Sequence, residues 1–407
     1  MLCYQASKSR KNEIVQGRDC MKISYISCWC YLRVYAIQVF HLKEHVEKLL
    51  GKKVDLITSN CGCFYGGIGS VFASLIKSHD DLLMSSDVQE FIRIPHFRDR
   101  KEGGLLRRTV KGIYRRVAEP LRGFLFSSYS KGSDIVHFHQ GPDAFGFEAL
   151  KWFLHSSRGR KKVVTIHTLS AVQKEQTVLN SLYNECDAVI THTDHDRKKL
   201  IEWGVENEKI HVVPYGATLK PLKGLARDGA IMFAGSPLIG IKGFEHLAPA
   251  LRKLKAEGLV VPLKLHGYHM AGHKEWADAI SVREGISDQV RWLSFNSEDE
   301  LIDAYQSSKI CLIPYTEYPG SFPVTIAIAN ATPVVVSDLV GVAEYIKEGG
   351  GVVTSTSPSD IARAIRSMLA DEATLKQHAE TARDVAEKRY SWEQVSKETV
   401  EVYKTII

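Results

Sequence analysis

The chain runs twice through one cycle of short β-rich segments separated by stretches of helical spacing, and this alternation restricts the fold more than any other feature. In the first half, "MKISYIS" (21–27), "KKVDLITSN" (52–60), "DIVHFH" (134–139), "KVVTIH" (162–167), "DAVITHT" (187–193) and "KIHVVP" (209–214) read as strands. Segments such as "VFHLKEHVEKLL" (39–50) and "DHDRKKLIEWG" place apolar residues at helical intervals between them. The stretch "YGATLKPLKGLARDGA" (215–230) interrupts the cycle with Gly, Pro and Lys. The cycle then restarts with "IMFAG" (231–235), a helix over 243–256, "PLKLHG" (262–267), "VRWLSF" (290–295), "KICLIP" (309–314), "TPVVVSD" (332–338) and "GGVVT" (350–354). Strand–helix alternation of this kind predicts parallel sheets covered on both faces. Ligands of such sheets bind at the carboxyl ends of the strands.

A length of 407 residues exceeds one ordinary core and agrees with two domains. The expected division is a poorly structured extension over 1–20, a first Rossmann-like domain over 21–215 and a linker over 216–230. A second Rossmann-like domain then covers 231–385, and a closing helix covers 386–407, with Ser391 as its N-cap and Glu393 in its first turn. No run of 18 apolar residues occurs, so no transmembrane helix is expected. The first 20 residues are polar and lack the apolar centre of a signal peptide. A cytoplasmic location is therefore expected, with the eight cysteines reduced. The net charge of +6 comes with no nucleic-acid-binding signature, so nucleic acid is not an expected partner.

Several ordered segments carry a resemblance. "KIHVVPYGA" is similar to the interdomain strand, and "FAGSPLIGIKGFEHL" to the G-R-L-x-x-x-K-G loop, of the family-4 retaining glycosyltransferases with the GT-B fold. "DQVRWLSFNSEDELIDAYQSSKICLIP", "ATPVVVSDLVGVAEYI" and the terminal "SWEQV…VYKTI" resemble the family's later segments in order and spacing, so that the likeness covers about Met21 to Ile407. The resemblance implies two doubly wound domains facing across a cleft, with the last helix crossing back to the first domain. It further implies transfer of a sugar from a nucleotide-activated donor with retained anomeric configuration, without a metal or other cofactor. The acceptor would be a glycan or a lipid-linked molecule.

By this resemblance Lys242, with Gly235 and Ser236 ahead of it, faces the donor diphosphate. A Lys-Gly pair at a loop-to-helix start sets an ammonium beside free N–H groups, a suitable arrangement for phosphate. The Arg that usually follows the glycine is absent, Ser236 and Pro237 standing there. In "PYTEYPGSFPVTIAIANATPVVVSD" the family's Glu-x7-Glu pattern is altered. Tyr318 stands at the first Glu position with Glu317 one residue earlier, and Ile326 stands at the second, which normally holds the ribose. Glu317 is the remaining candidate for the donor sugar, and the backbone N–H groups of Ser321, Phe322, Val324 and Thr325 for its phosphates. In the first domain "IHTLSAV" resembles the family's cleft histidine, which makes His167 a catalytic candidate with Thr168 beside it. His139 and Arg33 are the further acceptor-side candidates, Arg33 within a glycine-free connection, "CWCYLRVYAIQ" (28–38). His137 and His139 share a strand face, yet no third metal ligand accompanies them.

Two other features remain. Cys28, Cys30, Cys61 and Cys63 end neighbouring strands in pairs whose spacing differs from common zinc sites. The stretch 95–126 carries Arg107, Arg108, Lys111, Arg115 and Arg116 between apolar residues at helical spacing, the pattern of a helix that lies on an anionic membrane surface. The ordinary alternative is a solvated surface helix. Two competing readings of the whole chain are a GT-B protein that has lost donor binding and a different GT-B enzyme such as a sugar-nucleotide epimerase.

Overall fold

The computed structural model describes residues 21–28, 33–59, 90–92, 120–139 apart from 122, 147–169 apart from 168, 176–224, 227–234, 240–266, 272–295, 298–316 and 322–407. The strands are β1 (Ile23–Cys28), β2 (Val54–Ser59), β3 (Glu90–Ile92), β4 (Ile135–His139), β5 (Lys161–Thr165), β6 (Ala188–Thr191) and β7 (Ile210–Val212) in a first sheet. A second sheet holds β8 (Ile231–Phe233), β9 (Leu263–His266), β10 (Val290–Leu293), β11 (Ile310–Ile313), β12 (Val334–Ser337) and β13 (Gly351–Thr354). The strand orders are β3-β2-β1-β4-β5-β6-β7 and β10-β9-β8-β11-β12-β13. Pairing is parallel within both sheets, for example Ile23 opposite Val54 and Cys311 opposite Val334. Two doubly wound sheets are thus present, as the alternation predicts.

Parallel strands buried on both faces need nearly continuous apolar sequence. β11 and β12 supply it as Ile310–Ile313 and Val334–Ser337, every residue buried. Helix Phe244–Ala256 lays Phe244, Leu247, Leu251 and Leu254 on one face of the second sheet. Helix Phe322–Ala329 covers the other face with Val324, Ala327 and Ile328. Burying each such side chain contributes about 1.5–3 kcal/mol against leaving it in water.

The chain crosses back to the first sheet at its end. Helix Trp392–Ile406 starts at Ser391, whose hydroxyl caps it by accepting from the Gln394 N–H, and packs on helix Arg33–Leu50. At the crossing the outgoing and returning segments run side by side: the Ala217 N–H donates to the Tyr390 carbonyl at 2.7 Å, and Trp392 Nε1 donates to Thr218 Oγ1 at 3.3 Å. A Cβ on Gly216 would lie 2.2 Å from the Trp392 ring, so only glycine lets the two segments approach this closely.

Two local expectations are corrected. The helix expected from residue 39 begins at Arg33, so Arg33 opens a helix instead of lying in a loop over 28–38. Its branched and aromatic start, "RVYAIQ", lacks the usual capping signature and conceals the boundary. Strand β3, three residues long at the sheet edge, was not expected at all. Residues 1–20, Cys30, Cys61, Cys63 and Arg107–Arg116 lie outside the described residues. Among the described residues no helix is long and apolar enough to cross a membrane.

Candidate active site

Each sheet has one place where neighbouring strands send their connections to opposite faces, between β1 and β4 and between β8 and β11. Such switch points, at the carboxyl ends of strands, are where doubly wound sheets bind ligands. The candidate residues in the described regions gather around these two points.

On the second sheet, Lys242 lies in the turn between β8 and helix Phe244–Ala256. Thr316, just past β11, ties that turn down: its N–H donates to the Ile241 carbonyl at 3.0 Å and its hydroxyl to the Gly240 carbonyl at 3.1 Å. Gly243 adopts φ +71°, and a Cβ there would collide with the Pro314 carbonyl. Glycine is therefore required for the turn to seat on β11. Lys242 Nζ sits 3.6 Å from the centre of the Tyr315 ring, and the Tyr315 hydroxyl donates to the Ala234 carbonyl at 2.9 Å. Burial pushes the Lys242 ammonium down to about 7, while the ring face favours its charged form. The group is thus poised to gain from an anion.

Across the switch point, helix Phe322–Ala329 starts at Phe322. The N–H groups of Phe322 and Val324 belong to its first turn, where no intrahelical carbonyl is available to them, and Pro323 has none to offer; Thr325, expected to supply a further N–H, is the fourth helical residue, where the helix's own ladder takes that group. The Thr325 hydroxyl donates to the Phe322 carbonyl at 2.9 Å. Ile326 keeps partial exposure and packs, as Phe295 and Leu301 do, against the buried cluster that includes Val324, Ala327 and Ile328. Gly235, Ser236, Glu317, Ser321 and Thr168 lie outside the described residues. Arg252 and Lys253 face elsewhere, toward Glu284 at 3.3 Å and the Ser359 hydroxyl at 3.1 Å.

On the first sheet, histidines stand at or just past the ends of three adjacent strands: His139 on β4, His167 after β5 and His192 after β6. All three are buried. His167 Nδ1 and His192 Nε2 are 3.0 Å apart, and His192 Nδ1 lies 2.8 Å from the Val213 carbonyl. With Tyr215, Trp392 and helix Arg33–Leu50 they line a cavity of about 30 Å³, room for a water or two and far too small for a sugar nucleotide. Burial lowers the His192 pKa to about 4 and holds His139 and His167 well below the ordinary imidazole range, so all three are neutral at pH 7. His139 Nε2 is buried with no hydrogen-bond partner among the described residues. His137 is committed structurally, Nε2 to the Thr165 hydroxyl at 2.7 Å and Nδ1 to the Tyr403 hydroxyl at 2.6 Å. Among the described residues no group of three His, Cys, Asp or Glu side chains has the geometry to hold a metal ion.

Tyr215 links the two halves. Its hydroxyl donates to the His167 carbonyl at 2.7 Å, its ring stacks 3.6 Å from His192, and the Phe322 ring is 6.2 Å away. Tyr215 thus connects the start of helix Phe322–Ala329 with His167, and Tyr315, beside Lys242, belongs to the same buried cluster as Tyr215 and Phe322. His192 and Tyr215 were not singled out from sequence. A usable signal exists: "HFH", "IHT" and "THT" put a histidine at the same end of three consecutive strands.

The comparisons with known proteins agree with this architecture. Residues 224–385 match the glycosyl transferases group 1 family, and residues 38–220 match glycosyltransferase family 4. The chain is 28% identical over 219 residues to an MMP alpha-(1->4)-mannosyltransferase of Mycolicibacterium hassiacum, covering 51% of each chain. It is 28% identical over 243 residues to a D-inositol 3-phosphate glycosyltransferase of Streptomyces bingchenggensis, covering 53% of this chain and 52% of that one. The chain spans about half the length of these two relatives. Among solved structures, Anabaena Alr3699/HepE in complex with UDP-glucose shares the fold with a TM-score of 0.71 at 16% identity, over 95% of this chain and 100% of that one. Two family matches that succeed one another along the chain, one for each sheet, over two doubly wound domains joined by a returning helix, identify it: the chain belongs to the group 1 glycosyltransferases of the GT-B fold.

Proposed function

We propose that this protein transfers a sugar from a nucleotide-sugar donor to an acceptor hydroxyl with retention of anomeric configuration. The observation that carries the reading is the placement of Lys242 and the first turn of helix Phe322–Ala329 on the two sides of the β8/β11 switch point. An ammonium with a lowered pKa and a set of helix-start N–H groups together suit a diphosphate. The relatives' names, a mannosyltransferase and an inositol phosphate glycosyltransferase, and a fold neighbour solved with UDP-glucose support the same chemistry.

In this mechanism the bond from the anomeric carbon to the phosphate oxygen breaks, and a bond from that carbon to the acceptor oxygen forms on the same face. The acceptor proton passes to the departing phosphate oxygen. Lys242 and the N–H groups of Ser321, Phe322 and Val324, together with Gly235 and Ser236, stabilise the charge developing on the leaving diphosphate. His167 positions the donor sugar, Glu317 binds its hydroxyls, and Arg33, His139 and Thr168 face the acceptor. No metal or other cofactor is required. The acceptor is a glycan or lipid-linked molecule, and the basic segment Arg107–Arg116 brings the protein to an anionic membrane surface.

A thermal-shift panel of UDP-, GDP-, ADP- and dTDP-sugars tests the donor site, because a ligand that binds only the folded state raises Tm by mass action. One donor should raise Tm in the wild type and not in Lys242→Ala. No shift with any donor would sink the reading and favour a protein that keeps the fold without donor binding. Flotation with phosphatidylserine-containing vesicles, compared with neutral ones, tests the membrane surface separately.

A further inference from the structure

We infer that His192 is a positioning residue that fixes His167 in the Nδ1–H tautomer, so that His167 Nε2 acts as a hydrogen-bond acceptor and takes a hydroxyl, not a phosphate or carboxylate oxygen. The inference follows from two hydrogen bonds in series. His192 Nδ1 is 2.8 Å from the Val213 carbonyl oxygen. A carbonyl can only accept, so the His192 proton is on Nδ1. Burial lowers the His192 pKa to about 4, which keeps the ring neutral at pH 7 and leaves Nε2 with a lone pair. His167 Nδ1 lies 3.0 Å from that lone pair and must therefore be the donor. His167 is itself held neutral by burial, and a neutral imidazole carries one proton. Its Nε2 is consequently an acceptor.

The arrangement is rigid. Tyr215 stacks on the His192 ring and donates its hydroxyl to the His167 carbonyl, which holds both rings at their strand ends. Register supports it as well, since the Ile166 N–H donates to the Ile190 carbonyl and brings the residues after β5 and β6 level with one another. An anionic oxygen meeting Nε2 would set lone pair against lone pair, whereas a hydroxyl would donate to it. The identification of that hydroxyl as one of the donor sugar rests on the proposed transferase function; the tautomer does not.

The test is a long-range 1H–15N correlation spectrum of protein labelled with 15N-histidine, recorded at pH 7 without ligand, with His167 assigned by its loss in His167→Gln. In the wild type His167 should show a protonated Nδ1 and a bare, pyridine-like Nε2. His192→Phe should shift the proton toward Nε2, and His192→Gln, whose amide oxygen can accept near the same point, should retain the wild-type pattern. A protonated Nε2 in the wild type, or an unchanged pattern in folded His192→Phe, would overturn the inference. Because no donor is present, a failed nucleotide-sugar panel would remove the proposed function and leave this result intact.

Discussion

Glu344, in the segment after β12, hydrogen-bonds across the sheets to Asp194 at the start of helix Asp194–Glu202: its Oε2 accepts from the Asp194 N–H at 2.8 Å. Its Oε1 accepts from the His195 N–H at 3.0 Å. A carboxylate from one half of the molecule thus caps a helix belonging to the other, where the helix dipole favours negative charge. Beside it the Tyr345 hydroxyl approaches the His192 carbonyl at 3.5 Å, so the contact leads directly to the histidine relay.

Removing this cap should loosen the contact between the halves. Glu344→Ala leaves two N–H groups without their charged acceptor, worth on the order of 1 kcal/mol at a partly exposed site. The expected outcome is a lower Tm together with faster amide exchange at Asp194 and His195, while the Gln394 amide capped by Ser391 is unaffected. Equal exchange in the variant and the wild type at Asp194 and His195 would contradict the cap.

Lys242 should take up a proton when a donor binds. Its pKa is pushed down to about 7 by burial, so near pH 7.5 much of the population is neutral, and a bound diphosphate favours the charged form. Both phosphates of a nucleotide sugar are esterified and keep a fixed charge over this range, so the proton comes to the protein. Calorimetry at pH 7.5 in buffers of different ionisation enthalpy should show net uptake that vanishes in Lys242→Met. Affinity should weaken as pH rises above 7, and Lys242→Ala should cost roughly 10- to 100-fold, the value of a charge-assisted hydrogen bond. The sign for folding is separate: the unfolded lysine binds its proton more tightly, so this group makes stability rise with pH between about 7 and its ordinary value of 10.5.

The returning helix is held by a buried polar chain as well as by apolar packing. The Tyr403 hydroxyl meets His137 Nδ1 at 2.6 Å and the Tyr25 hydroxyl at 3.0 Å, and His137 Nε2 continues to Thr165. Tyr403→Phe would strand buried groups on both β1 and β4, at about 1–3 kcal/mol. Urea denaturation should show that loss with an unchanged m-value. A variant as stable as the wild type would mean that the chain contributes nothing net.

Sequence made the sheets legible because buried parallel strands are continuous apolar runs, and Val334–Ser337 or Ile310–Ile313 admit little else. Ser391 was legible as a cap because its partner, the Gln394 N–H, lies three residues away. The place of Lys242 in a turn before a helix was legible because a Lys-Gly pair at a helix start is itself local. His192 and Tyr215 escaped because their roles come from partners 25 and 48 residues distant, His167 in both cases. β3 escaped because three residues carry no period, and the start at Arg33 because no capping residue announces it.

Asp196 offers the last prediction, and it concerns the helix that Glu344 caps. Its backbone N–H donates to the Thr193 hydroxyl at 3.1 Å, while its side chain is buried and Oδ1 has no partner among the described residues. Burial is the main cause that pushes its pKa up to about 6, with nearby Glu344 adding in the same direction. Because the folded value lies above the unfolded one, the folded state binds the proton more tightly. Stability should therefore be greatest below about pH 4 for this group alone, fall as pH rises to about 6, and stay reduced at pH 7. Asp196→Asn removes the ionisation and should stabilise the protein at pH 7 by on the order of 2 kcal/mol, since each pKa unit corresponds to about 1.4 kcal/mol. The gain should vanish near pH 4, where the aspartic acid is neutral in the folded protein. A gain that is the same at pH 4 and pH 7 would show that ionisation is not its source.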